Sequence, residues 1–108
     1  MKEVEVKFLN DDLEKEYVGL QESERIKKKI NWVIERIKQK PDFGQPIAKG
    51  LIPEEYKKYG INNAFWVELS KDQRLIYSLT SDGINKIIAT ILEWFTRHKD
   101  YERRFGYS

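Results

Sequence analysis

The sequence predicts an α+β fold: an antiparallel sheet of about four strands with two N-terminal helices packed on one face. Three observations on the 108-residue chain carry that expectation. Residues 3–8 alternate apolar and charged. Residues 26–37 carry an aliphatic stripe at helical spacing. Residues 65–95 hold three strand-like segments divided by short turns. Helices grouped ahead of a run of strands favour segregated layers over alternating βαβ units.

Each element has a local cause. Val4, Val6 and Phe8 alternate with Glu3, Glu5 and Lys7, the period of a half-buried strand. Asn10, Asp11 and Asp12 follow, and side chains of this type cap a helix start by accepting backbone N–H bonds. Leu13, Tyr17 and Leu20 give a short helix one apolar face, with Gly19 near its end. Ser23 is a second cap candidate. Ile26, Ile30, Val33, Ile34 and Ile37 then define a longer helix that stops before Pro41, with Trp32 at the edge of its stripe. Residues 41–63 hold all three prolines and three of the six glycines, so a long connection is expected. Pro53-Glu54-Glu55-Tyr56 suits one helical turn, proline at its first position.

Phe65, Val67 and Leu69 alternate with Trp66, Glu68 and Ser70, and Lys71-Asp72-Gln73 makes a turn. Leu75, Tyr77 and Leu79 alternate with Arg74, Ile76 and Ser78 before the turn Ser81-Asp82-Gly83. Residues 86–95 are nearly continuous apolar. Their β-branched content and hairpin setting favour a central strand covered on both faces over a helix.

Length bounds the chain to a single domain, residues 1–108. No cysteine is present, which excludes a disulfide framework and a thiolate metal site. One histidine and scattered carboxylates give no metal-ligand spacing, and no motif calls for a cofactor. Met1-Lys2-Glu3-Val4-Glu5 opens no apolar leader, and no apolar run approaches the roughly 20 residues that span a bilayer. The expectation is a cytoplasmic protein without membrane contact. Charge is uneven: residues 1–24 hold eight acids against three bases, residues 25–60 ten bases against four acids. The basic segment reads either as a phosphate footprint or as the solvated face of a helix.

Three motifs resemble the RelE/ParE superfamily of toxin–antitoxin toxins, in particular its RelE-, YoeB- and HigB-like members. Gly44-Gln45-Pro46-Ile47 with Lys49-Gly50-Leu51 resembles the family's G-K-P-L-K-G-L connection. Arg74-Leu75-Ile76-Tyr77 resembles its R-L-I/V-Y strand. His98-Lys99-Asp100-Tyr101-Glu102-Arg103 resembles its C-terminal tail. The strand Phe65-Trp66-Val67-Glu68-Leu69 departs from the pattern, for it lacks the family's arginine. The resemblance implies a toxin that cleaves mRNA on the ribosome and is held inactive by an acidic antitoxin protein. It leaves open a ParE-like toxin that inhibits a topoisomerase by contact, and a detoxified interaction module of the same fold.

For RNA cleavage, a ribose 2′-OH attacks the adjacent phosphorus. A base takes its proton, an acid protonates the leaving 5′-oxygen, and cations stabilise the phosphorane. Histidine is the side-chain type whose charge changes near neutral pH, so His98 suits base or acid. Glu102, four residues on, would share its face on a helix and either orient the ring or act as base. Tyr101 offers a proton or a stacking surface. Arg74 offers a planar fork for phosphate oxygens. Lys49, Lys71, Arg97, Arg103 and Arg104 are the candidate RNA contacts. Tyr101, Phe105 and Tyr107 equally suit packing of the tail onto the sheet, and Trp94 and Phe95 suit the core.

Overall fold

The computed structural model describes residues 2–106; the expectation for Tyr107 falls outside them. The elements are β1 (Glu3–Phe8), α1 (Asp11–Gly19), α2 (Arg25–Gln39), β2 (Gln45–Pro46), a 3-10 turn (Lys49–Leu51), α3 (Glu54–Lys57), β3 (Phe65–Ser70), β4 (Gln73–Ser81), β5 (Lys86–Phe95) and α4 (His98–Arg104). The α+β class stands, with corrections. The sheet has five strands in the order β1-β5-β4-β3-β2. It is mixed, because β1 runs parallel to β5. Alternation marks a strand but not its partner: α1 and α2 form a crossover, the hairpins β3-β4-β5 follow, and the last strand meets the first running the same way. The extra strand, β2, is two residues long and lies at the edge, where the missing N–H of Pro46 is tolerated.

Of the three cap candidates before α1, Asn10 is the one that caps it: its Oδ1 accepts from Leu13 N at 2.9 Å. The cap of α2 is Glu24 rather than Ser23 and makes no side-chain cap bond. Pro53 stands one position earlier than expected, as the residue before α3. Both turns hold, with Asp72 at φ 65° and Gly83 at φ 80°.

The sheet is covered on both faces. On one, Ile30, Val33 and Ile37 of α2 pack against Leu75, Tyr77, Ala89 and Ile91. On the other, Ile52, Tyr56, Tyr101 and Phe105 pack against Ile76, Leu92 and Phe95. The second layer was not foreseen as a layer; it is built from the long connection and the tail. A bulge makes it possible. Ile76 pairs with Glu93 and Tyr77 with Ile91, so Leu92 is the extra residue on β5. Leu92, Glu93 and Phe95 therefore serve the second face, while Ala89, Ile91 and Trp94 serve the helix face. Trp94 and Phe95 pack into the two cores as expected.

Gly44 sets the entry to β2. Its N–H donates to the hydroxyl of buried Tyr77 at 2.8 Å, and that hydroxyl donates to Pro41 O at 2.7 Å. A Cβ on Gly44 would lie 3.0 Å from both Trp66 O and Tyr77 Cε1, so only glycine fits without displacement.

The α2 part of the basic segment does not form one footprint with the tail. The apolar stripe of α2 packs on one face of the sheet and α4 on the other. Lys27 is buried, bonded to Leu20 O at 3.1 Å and paired with Glu22 at 3.0 Å, so it belongs to neither a footprint nor a solvated face.

Candidate functional site

The second face of the sheet gathers part of the expected set. Trp66, between Phe65 and Val67, points away from the helix layer, as does Arg74 on β4. The Arg74 Cζ lies 4.2 Å from the Trp66 ring centroid and 4.5 Å from that of Tyr101. A guanidinium against two aromatic rings is held by its attraction to their negative faces. Glu68 is its cross-strand partner in register. Among the described residues, however, no carboxylate comes within ion-pair distance of Arg74. Its charge is oriented but not neutralised.

α4 begins one residue after Arg97 and carries the remaining groups. The His98 ring stacks at 5.9 Å from that of Tyr101, so Tyr101 touches both Arg74 and His98. Arg74 and His98 thus share one cluster. His98 Nε2 lies 3.8 Å from Glu102 Oε1, one turn on, at ion-pair range but beyond a hydrogen bond. Both side chains are about two-fifths exposed, at 41% and 39%.

Tyr101 itself is only 4% exposed, packed against Phe95 and stacked on Phe105. So deep a ring has no face for a nucleobase. Its place is that of a wall on which Arg74 and His98 rest, which corrects the expected stacking role.

The basic residues divide. Lys49 and Lys71 are exposed, on the 3-10 turn and the β3–β4 turn. Arg97 reaches Asp100 with Nε at 2.9 Å and a second nitrogen at 3.3 Å, and Arg103 stands 3.9 Å from the same carboxylate. The Arg97 bond, with both arginine charges, holds Asp100 below the usual carboxylate range.

Arg104 turns inward, against the expectation that it contacts RNA. Its Nη1 lies 2.8 Å from Glu55 of α3 and its Nε 2.9 Å from Glu93 of β5. Tyr56 donates its hydroxyl to Glu93. Burial opposes the Arg104 charge, but the two carboxylates outweigh it and keep its pKa above the ordinary value. Burial and then Glu93 push the Tyr56 phenol up. This clamp ties α3 and α4 to the sheet and uses Arg104's charge within the fold.

Sequence reasoning missed Trp66 as a site residue and Glu93 as the anchor of α4. The first was legible: the alternation that sends Phe65 and Val67 to the helix face sends Trp66 to the face of Arg74. The second depends on the bulge, which no residue pattern announced.

The chain matches no protein-family model, and no curated protein matches it. Among solved structures it is similar to a YoeB/ParE toxin from Agrobacterium tumefaciens, at 18% identity and a TM-score of 0.55, over 87% of this chain and 95% of that one. The mixed five-stranded sheet with its flanking helices is therefore the fold of that toxin.

Proposed function

We propose that the chain is the toxin of a toxin–antitoxin module and cleaves mRNA on the ribosome by attack of a ribose 2′-OH on the adjacent phosphate. The observation that carries this reading is Arg74, a guanidinium held between Trp66 and Tyr101 with no counterion among the described residues. Such a group suits a phosphorane, whose equatorial oxygens gather negative charge as the 2′-oxygen adds. His98, partly exposed and stacked on the same Tyr101 ring, takes the 2′-OH proton or delivers one to the leaving 5′-oxygen. Glu102 orients the ring or supports its charged form. Tyr101 positions both. Lys49, Lys71 and Arg103 lie at the surface, where they suit RNA contacts. An acidic antitoxin fits the cations that α2 leaves exposed, such as Lys28 and Lys38.

A second reading keeps the fold and drops the chemistry: a toxin that acts by binding, in the manner of topoisomerase inhibition. Glu68 favours it, since an exposed carboxylate stands opposite Arg74 where a cation would help RNA. Induced expression followed by mapping of mRNA 5′ ends separates the two. New 5′ ends within translated regions support cleavage. Growth arrest with intact messages supports binding.

A further inference from the structure

A second polar cluster lies on the sheet face that carries Arg74. The register sets Lys7 of β1 beside Thr90 of β5, and Thr90 beside Ser78 of β4. Neighbouring strands are about 4.8 Å apart, so an ammonium and two hydroxyls stand in one row. Thr80 follows two residues along the same strand. The segment from Tyr59 to Asn63 walls the row and encloses a cleft of about 220 Å³. Asn63 fixes that wall: its amide bonds both the N–H and the C=O of Leu79, at 2.8 and 2.9 Å.

Three features give the cleft a sign and a purpose. Ser78, half-buried Thr90 and exposed Thr80 line the cleft, and no hydrogen bond among the described residues uses their hydroxyls, which leaves them open to a ligand there. Lys7 makes no ion pair among the described residues: its charge acts on Glu5 of the same strand, but that carboxylate is bonded to Lys86 at 2.8 Å. No carboxylate lines the cleft. One free cation with three hydroxyl donors and no acid is the donor set of an oxyanion site.

We propose that this cleft binds a phosphate group of the RNA strand, as a second subsite apart from the one at Arg74. Lys7 supplies the charge and Ser78, Thr80 and Thr90 the hydrogen bonds. The inference rests on the RNA reading above and assigns part of the strand's docking to a surface that α4 does not touch.

The test uses the full chain carrying Arg74→Ala, so that RNA is bound without being cut. A six-nucleotide oligouridylate is titrated while backbone amides are followed by NMR, with inorganic phosphate in a parallel arm. Shifts at Ser78, Thr80 and Thr90 with the oligonucleotide are expected. Adding Lys7→Gln should weaken binding severalfold and reduce the slope of log affinity against log salt by about 0.7, the share of one phosphate contact on a single strand. Ser78→Ala should weaken binding without changing that slope. RNA shifts confined to Trp66 and α4 overturn the subsite and leave the RNA reading standing. Shifts in the row with inorganic phosphate but none anywhere with RNA leave an anion site, and overturn its assignment to RNA together with that reading.

Discussion

Trp66 and Arg74 meet diagonally across the β3–β4 hairpin, with the guanidinium carbon 4.2 Å from the indole centroid. The indole fixes the plane of the fork without neutralising it, as an ion pair would. Replacing Trp66 by leucine removes that restraint and keeps apolar bulk. Cation–π contacts are worth about 0.5–2 kcal/mol, so cleavage should fall about 2- to 30-fold while the thermal midpoint moves little. Single-turnover RNA cleavage and a melting curve on the same preparation check both halves.

His98→Gln should lower the cleavage rate by about 10²–10⁴-fold if the ring moves a proton in the reaction. Its partly exposed position predicts normal folding. Circular dichroism and the cleavage assay together separate a chemical loss from an unfolded chain.

The clamp on α4 makes a stability prediction. Glu93→Gln leaves Arg104 with one carboxylate and Tyr56 with a weaker acceptor. Hydrogen bonds to charged groups contribute about 1.5–3 kcal/mol, and the partial exposure of this pair places the loss toward the lower end. Urea unfolding should show it, and amide exchange should show the loss concentrated in α3 and α4.

Tyr77 gives the fold an alkaline limit. Burial pushes its phenol up to about 12, against a donor bond from Gly44 N–H that works the other way. A raised pKa favours the protonated form in the folded state. Its stabilisation is whole below about pH 10, where a free tyrosine ionises, and is lost as pH rises from there to about 12. Tyr77→Phe is less stable at neutral pH, having lost two hydrogen bonds, but its stability should fall less steeply between pH 10 and 12. Denaturant midpoints across that range check the difference.

Gly44→Ala should destabilise by about 1–3 kcal/mol, the usual cost of forcing a methyl group into a packed site. The new methyl meets the Trp66 carbonyl and the Tyr77 ring at 3.0 Å. A depressed thermal midpoint checks it.

Much of this architecture was legible because the elements are locally consistent. The stripe Ile30-Val33-Ile37 announced α2, the alternation Val4-Val6-Phe8 announced β1, and the run Asn10-Asp11-Asp12 announced the start of α1. Strand partners were not legible, since alternation is blind to direction, and β1 turned out parallel to β5. The bulge at Leu92 hid in an apolar run, where a change of phase leaves no polar residue on the wrong face. In the site, Arg74 and His98 could be named from residue type and the tail motif. The burial of Tyr101 and the inward turn of Arg104 could not, because both depend on α4 folding back over Phe95 and Glu93. Lys27 misled for a related reason: its neighbours on α2 are surface cations, but its own ammonium ties down Leu20 and Glu22.

The most direct test of the central claim is cleavage by Arg74→Ala, measured as mRNA 5′ ends after induction and as a single-turnover rate on programmed ribosomes. Loss of one preorganised donor to a developing oxyanion costs about 10²–10³-fold in rate. The expected result is a fall of that size in a protein that still melts cooperatively, with Arg74→Lys recovering part of it as a point charge without the fork. Cleavage at the wild-type rate by folded Arg74→Ala would contradict the account, and would leave the guanidinium between Trp66 and Tyr101 as a packing element of a toxin that acts by binding.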